Sequence, residues 1–234
     1  MNWDFEARTP EELSNGIKPA LLNGKVRSKT LANEKIQMVH LLRGLAATSI
    51  LQYPVCVRHT SDKIPDFQLM VGGRCIGAEL TKIKFQDVEH GRALQVCGIR
   101  GTLSVSSLSP SVDGPRKKPE IIQDGFGMPA MIFPISADEE ERIWMEQARR
   151  SLEAKTGRML SEDFVHGEED WLVLVDTVGE VPEESLARGV ALSRLLAEFW
   201  KSGWFSRVFL QDNFYRWQMM FTHDGFTVLP AEPA

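Results

Sequence analysis

Between Pro65 and Ile83 the chain alternates apolar and polar residues on either side of Gly72-Gly73, and no other segment restricts the fold so tightly. A two-glycine centre supplies the positive φ angles that a tight hairpin turn needs. Centred there, the hairpin pairs Val71 with Arg74, Leu69 with Ile76, Phe67 with Ala78 and Asp66 with Glu79. Side chains of a strand point alternately to its two faces. One face then carries Phe67, Leu69, Val71, Ile76, Ala78 and Leu80, an apolar set able to pack on a helix. The other carries Asp66, Gln68, Gly77, Glu79 and Thr81.

The flanking sequence supplies the partners. Residues 1–27 read as a polar leader. Thr30 caps a long helix with Leu31, Met38, Leu41, Leu42, Leu45 and Ile50 at helical spacing, ended by Tyr53-Pro54. Val55-Cys56-Val57 opens a strand. Residues 98–135, rich in Ser, Pro and Gly, form an irregular insertion with a short strand at Ala130 to Phe133. Ser136 or Asp138 caps a second helix, whose first turn (Glu139, Glu140, Glu141) suits the helix dipole and which Gly157 terminates. Trp171 to Val175 is a continuous apolar run, as expected of a strand covered on both faces. Ser185 to Lys201 is an amphipathic helix, Arg207 to Leu210 and Tyr215 to Phe221 are strands, and a short tail follows. This order predicts an α/β fold with a mixed central sheet flanked by helices, in one domain over 1–234 with its core at about 28–222.

Composition narrows the setting. The net charge of −5 lacks the basic footprint of a dedicated nucleic-acid binder, so any such contact must be local or shared with a partner. No apolar run is long enough to span a membrane, and the first residues lack a signal-peptide pattern. Cys56, Cys75 and Cys97 are an odd number without C-x-x-C spacing, which suits a reducing cytoplasm. The histidines (His40, His59, His90, His166, His223) are scattered and read as surface or satisfied groups. Trp200, Trp204, Phe205, Phe209, Phe214, Tyr215 and Trp217 fit core packing or a homodimer interface better than base stacking.

Asp66 beside Glu79 is the chemically informative pair. Two acids directly across a hairpin repel, unless they merely decorate a solvent-facing surface or share a cation. Mg²⁺ takes one or two carboxylates plus waters and substrate phosphates, and could serve hydrolysis of a phosphodiester. Gly77, on the same face, leaves room for a substrate or a backbone to approach.

Pro65-Asp66 and Gly77-Ala78-Glu79-Leu80-Thr81 together resemble the PD-(D/E)xK nuclease superfamily, in its G-x-E-x-T variant. The dense part of the resemblance spans residues 64–82, with a sparser match around 142–175. It implies a restriction-endonuclease-like fold and an endonuclease that uses Mg²⁺ or Mn²⁺, held by Asp66 and Glu79, on DNA ahead of RNA. Thr81 occupies the family's usual lysine position, and in this superfamily the lysine migrates. Lys82 and Lys84 have the wrong strand parity. Lys155 shares a helical stripe with Ala148, Leu152 and Met159, on a helix that precedes the apolar strand, and the resemblance gives it the catalytic role. It further implies support of the metal by Glu34 from the first long helix, and Gln68 is a candidate for a hydrogen bond behind the carboxylates. Arg116-Lys117-Lys118 is the candidate phosphate-binding tract, with a solvated loop as the ordinary alternative. The alternative function is a non-catalytic module of nuclease fold acting in assembly, which Thr81, the acidic charge and the aromatic C-terminal region favour.

Overall fold

Gly72 and Gly73 adopt φ of 58° and 87° and join β3 (Phe67–Val71) to β4 (Arg74–Ile83). The register of this hairpin matches the sequence expectation, with Phe67 opposite Ala78, Leu69 opposite Ile76 and Val71 opposite Arg74. The structure is a computed structural model that describes residues 4–15, 29–46, 48–60, 65–83, 137–177, 183–202, 205–212 and 217–229. The insertion at 98–135, with Arg116, Lys117, Lys118 and the strand expected at Ala130 to Phe133, lies outside them, as do Lys84, His90, Cys97 and Ser136.

The other strands are β1 (Phe5–Ala7), β2 (Val55–His59), β5 (Glu169–Asp176), β6 (Arg207–Asp212), β7 (Gln218–Thr222) and β8 (Gly225–Leu229). Together they form one eight-stranded sheet in which spatial order follows chain order, β1 through β8. β1 to β4 pair antiparallel, β5 and β6 are parallel, and β6 to β8 are antiparallel again. The chain is therefore α/β with a mixed sheet, as its order of elements predicts. The helices are α1 (Lys29–Ala46), α2 (Ala137–Met159) and α3 (Glu183–Phe199), the last followed by a 3₁₀ turn at Trp200–Ser202.

The chain divides into two compact units, one made of Met1–Lys82 with Leu152–Ala234 and the other of Ile83–Ser151. In the second, the described part of α2 buries Ile143, Trp144 and Ala148, and Arg150 pairs with Glu146 at 2.9 Å. The first contains the sheet. Strand alternation gives it two buried faces, not the single one expected of a half-solvated sheet. Phe67, Leu69, Val71, Ile76, Ala78, Trp171, Val173, Val175 and Phe209 form one core with Met38, Leu41, Leu42 and Leu45 of α1. Truncating one of these large side chains, Phe67 for example, costs about 3–5 kcal/mol. Gln211 reaches Gln37 of α1 at 2.6 Å, so α1 covers this face.

The opposite face carries Cys75, Gly77, Glu79, Asp170, Leu172, Leu174 and Asp176. Here α3 packs down, with Arg188 on Asp176 at 2.5 Å and Gly189 against Met219 of β7. The end of α2 approaches the same face through Lys155 and Glu79.

Several boundaries differ from expectation for local reasons. α1 stops at Ala46 rather than near Ile50, because the Thr48 hydroxyl and amide both donate to the Leu45 carbonyl, at 2.7 and 2.9 Å. Gly157 does not end α2. It lies inside the helix, and Ser161 supplies the stop by donating its amide and hydroxyl to the Arg158 carbonyl at 3.0 and 2.7 Å. The leader contains β1 and a helical segment at 10–15, opened by Thr9 and Pro10, whose Leu13 is fully buried. β7 begins at Gln218 rather than Tyr215, residues 213–216 being outside the described set, and the tail contains β8.

Candidate active site

Strand parity alone puts Asp66 and Glu79 on one face, and the end of α2 brings a cation to them. Lys155 Nζ lies 3.4 Å from Asp66 Oδ2 and forms an ion pair with Glu79 Oε2. The stripe that carries the lysine is buried throughout: Ala148, Leu152, Lys155 and Met159 are each at most 7% exposed. Asp66 is fixed from three sides. Its Oδ2 accepts the Leu80 amide at 2.9 Å, its carbonyl accepts the Thr60 amide at 3.0 Å, and the preceding Pro65 carbonyl accepts the Thr60 hydroxyl.

Glu79 is 1% exposed, so it is not a decoration of a wetted surface. Its Oε1 is buried with no hydrogen-bond partner, while Oε2 meets Lys155. Burial pushes the Glu79 carboxyl above its ordinary value and the neighbouring Asp66 adds to this, whereas Lys155 and, more weakly, Arg158 oppose it. A bare buried carboxylate oxygen is costly in a folded protein. It is also an acceptor left without a protein donor.

The donor chemistry fits a hard divalent cation. Among the described residues no group of three or more His, Cys, Asp or Glu is arranged to hold a metal. Two carboxylates suffice for Mg²⁺ or Mn²⁺, which complete their shells with water and substrate oxygens, whereas a structural zinc site needs four protein ligands.

The remaining sequence candidates take varied positions. Glu34 faces His59, whose Nε2 is 3.6 Å from Glu34 Oε2. His59 is the cross-strand partner of Phe67 and packs edge-on against its ring at 4.9 Å, so this pair belongs to the face opposite Glu79. Gln68 is half-buried opposite Gly77, and Thr81 is half-buried two residues beyond Glu79. Neither side chain hydrogen-bonds to Asp66 or Glu79 among the described residues. Burial raises the Cys56 and Cys75 thiols above their usual range, as expected of structural thiols. Phe205, Phe209 and Trp217 are buried, so their aromatic surface is spent inside the fold.

One group escaped the sequence reading. The space above Gly77 holds the Asp170 carboxylate, not an open approach for substrate. A Cβ on Gly77 would fall 2.5 Å from Asp170 Oδ1 and 3.2 Å from Pro65 Cγ. Asp170 is 8% exposed; its Oδ2 lies 2.7 Å from His166 Nδ1 and its Oδ1 accepts the Gly167 amide at 3.2 Å. The only hint in the sequence is the four-residue spacing of His166 and Asp170 ahead of the apolar strand. No helix among the described residues is long and apolar enough to cross a membrane. No protein-family model, curated protein or solved structure matches the chain.

Proposed function

We propose that the protein is a divalent-metal-dependent nuclease that hydrolyses phosphodiester bonds of a polynucleotide, DNA ahead of RNA, on a restriction-endonuclease-like core. The observation that carries this reading is the unsatisfied Oε1 of buried Glu79, beside Asp66 and within reach of one ammonium group. The succession α1, β2–β4, α2, β5, with one acid before β3, one on β4 and the lysine on α2, supports the fold assignment.

Asp66 and Glu79 would hold Mg²⁺ or Mn²⁺. Bound there, the ion would supply Lewis-acid stabilisation of the charge developing at phosphorus and a source of hydroxide near neutral pH. The Leu80 amide keeps Asp66 oriented. Lys155 orients the attacking water and balances charge on the phosphorane; loss of one such preorganised donor typically costs about 100- to 1000-fold in turnover. The test is cleavage of single- and double-stranded substrates with Mg²⁺ or Mn²⁺, comparing wild type with Asp66→Ala and Glu79→Ala. Both variants should fall to background, and unchanged activity in both refutes the assignment.

One observation favours a second reading. Lys155 already pairs with both carboxylates, as it would in a non-catalytic module of the same fold that serves in assembly. A protein that binds no Mn²⁺ and cleaves nothing would be that module.

A further inference from the structure

The two carboxylates are not equally covered. The Glu79 side chain is 1% exposed and that of Lys155 9%, whereas Asp66 keeps 20%. The cluster therefore meets solvent at Asp66, on β3, the strand next to β2.

A cation stands on that side. On β2, Val55 and Val57 join the core under α1, so alternation sends Cys56 and Arg58 to the carboxylate face. Arg58 lies across from Gln68, and Gln68 across from Gly77, two residues along the sheet from Asp66 and Glu79. Strands are ~4.8 Å apart and advance ~3.3 Å per residue, so the Cα atoms of Arg58 and Asp66 are roughly 8 Å apart. Arg58 is half-buried, and among the described residues no carboxylate pairs with it. The acid at the other end of its row, Asp170 over Gly77, is held by His166 and the Gly167 amide. A guanidinium stays charged at any working pH, and one that is partly desolvated without an acid gains from an anionic ligand.

A second guanidinium comes from the helix. Arg158 follows Lys155 by three residues on α2, and residues three apart are neighbours on a helix surface. It is exposed, its charge is felt at Glu79, and among the described residues no acid forms an ion pair with it. Ser161 fixes its backbone by donating amide and hydroxyl to the Arg158 carbonyl. The helix dipole alone favours a basic residue in the last turn of α2, but it gives no reason for Arg58 on a strand. Lys155 is occupied by the two acids, whereas both arginines are available to an incoming anion.

We propose that Arg58 and Arg158 are the two points of a phosphate clamp, one from the sheet and one from the helix, that lays a polynucleotide strand across the Asp66–Glu79 pair. The choice of a polynucleotide as ligand rests on the nuclease reading. Each guanidinium donates a pair of N–H groups to phosphate oxygens, a charge-assisted and directional contact. The clamp supplies locally the positive charge that a chain of net charge −5 lacks as a whole.

The experiment measures equilibrium binding of a fluorescent single-stranded DNA oligonucleotide to the full chain in EDTA, over a series of KCl concentrations. Arg58→Gln and Arg158→Gln should each weaken binding about tenfold at low salt. Each should also reduce the slope of log affinity against log salt by about 0.7, the share of one phosphate contact on a single strand. Arg58→Lys and Arg158→Lys keep the charge and should keep the slope. With Mn²⁺, the glutamine variants should raise KM by a similar factor with a much smaller change in kcat. Arg8→Gln, at an exposed position beyond β1, should bind as wild type does. A wild type that does not bind, a wild-type slope or an unmoved KM in either glutamine variant, a slope lost in the lysine variants, or an equal loss in Arg8→Gln overturns the clamp. Binding with the expected slopes but no Mn²⁺-dependent cleavage overturns the nuclease reading and leaves the clamp standing.

Discussion

Lys155 stands 3.4 Å from Asp66, a residue 89 positions earlier in the chain, and the same ammonium is ion-paired with Glu79. One buried cation is therefore shared between two acids, and a divalent ion bound there would compete with it for their oxygens. Lys155→Met should bind Mn²⁺ more tightly than wild type while turnover falls about 100-fold or more. The variant should also gain more thermal stability from Mn²⁺, since ligand binding stabilises in proportion to affinity. Titration calorimetry and melting with and without Mn²⁺ check this; equal or weaker Mn²⁺ binding by the variant contradicts it.

Glu79 sets a pH dependence of stability. Burial raises its carboxyl above the ordinary value of 4.5 despite the opposing Lys155. The folded protein thus keeps this proton where the unfolded chain has lost it. The associated stability is full below the unfolded value and is lost as pH rises through the folded one. Glu79→Gln removes the ionisation, so its stability relative to wild type should increase from about pH 4 towards about pH 8. Denaturant midpoints across that range test the sign, and a difference that does not grow with pH would show it to be wrong.

Arg188 and Asp176 form a second buried ion pair, on α3 and at the end of β5, with Asp212 the register neighbour of Asp176. All three are at most 6% exposed. Removing one partner of such a pair leaves a buried charge and costs about 3–5 kcal/mol. Arg188→Met should lose this amount in chemical denaturation. A loss below about 1 kcal/mol, the range of surface pairs, would mean that water reaches the acids.

Three glycines give a graded series. A Cβ at Gly167 meets backbone atoms, one at Gly77 meets the Asp170 carboxylate, and one at Gly157 meets nothing within 4 Å. Gly167→Ala should therefore destabilise most, since backbone gives way least. Gly77→Ala should cost about 1–3 kcal/mol as the side chain shifts. Gly157→Ala, inside α2, should stabilise by up to about 1 kcal/mol. Thermal melts of the three variants should fall in that order.

The parts of the fold that were legible in the sequence are those in which a local pattern decides the outcome. The twin glycines fix the β3–β4 register, and with it the juxtaposition of Asp66 and Glu79. The apolar run at Trp171 to Val175 marks a strand buried on both faces, and the stripe through Lys155 shows which side of α2 goes inward. What stayed hidden depends on partners distant in the chain. β1 has only three residues and owes its place to β2, with Asp4 joined to Val57 and His59. β8 exposes Thr227 and Val228 at the sheet edge, so its alternation is blurred. Gly77 signalled that something approaches closely, but that Asp170 is the occupant follows only from the adjacency of β4 and β5. Glu34 has the right helix, yet a histidine from β2 engages it on the other face.

Because every strand is adjacent to its predecessor, the sheet consists of two consecutive halves, β1–β4 and β5–β8, meeting at a single seam between β4 and β5. Neighbouring strands within each half are joined by shorter connections than the one leading from β4 to β5, which is the longest between adjacent strands. Asp66 and Glu79 belong to one side of that seam, while Lys155, His166 and Asp170 arrive with the other. The carboxylate cluster is therefore completed only when β4 and β5 are side by side, and exchange of their amide protons reports on the opening of that seam.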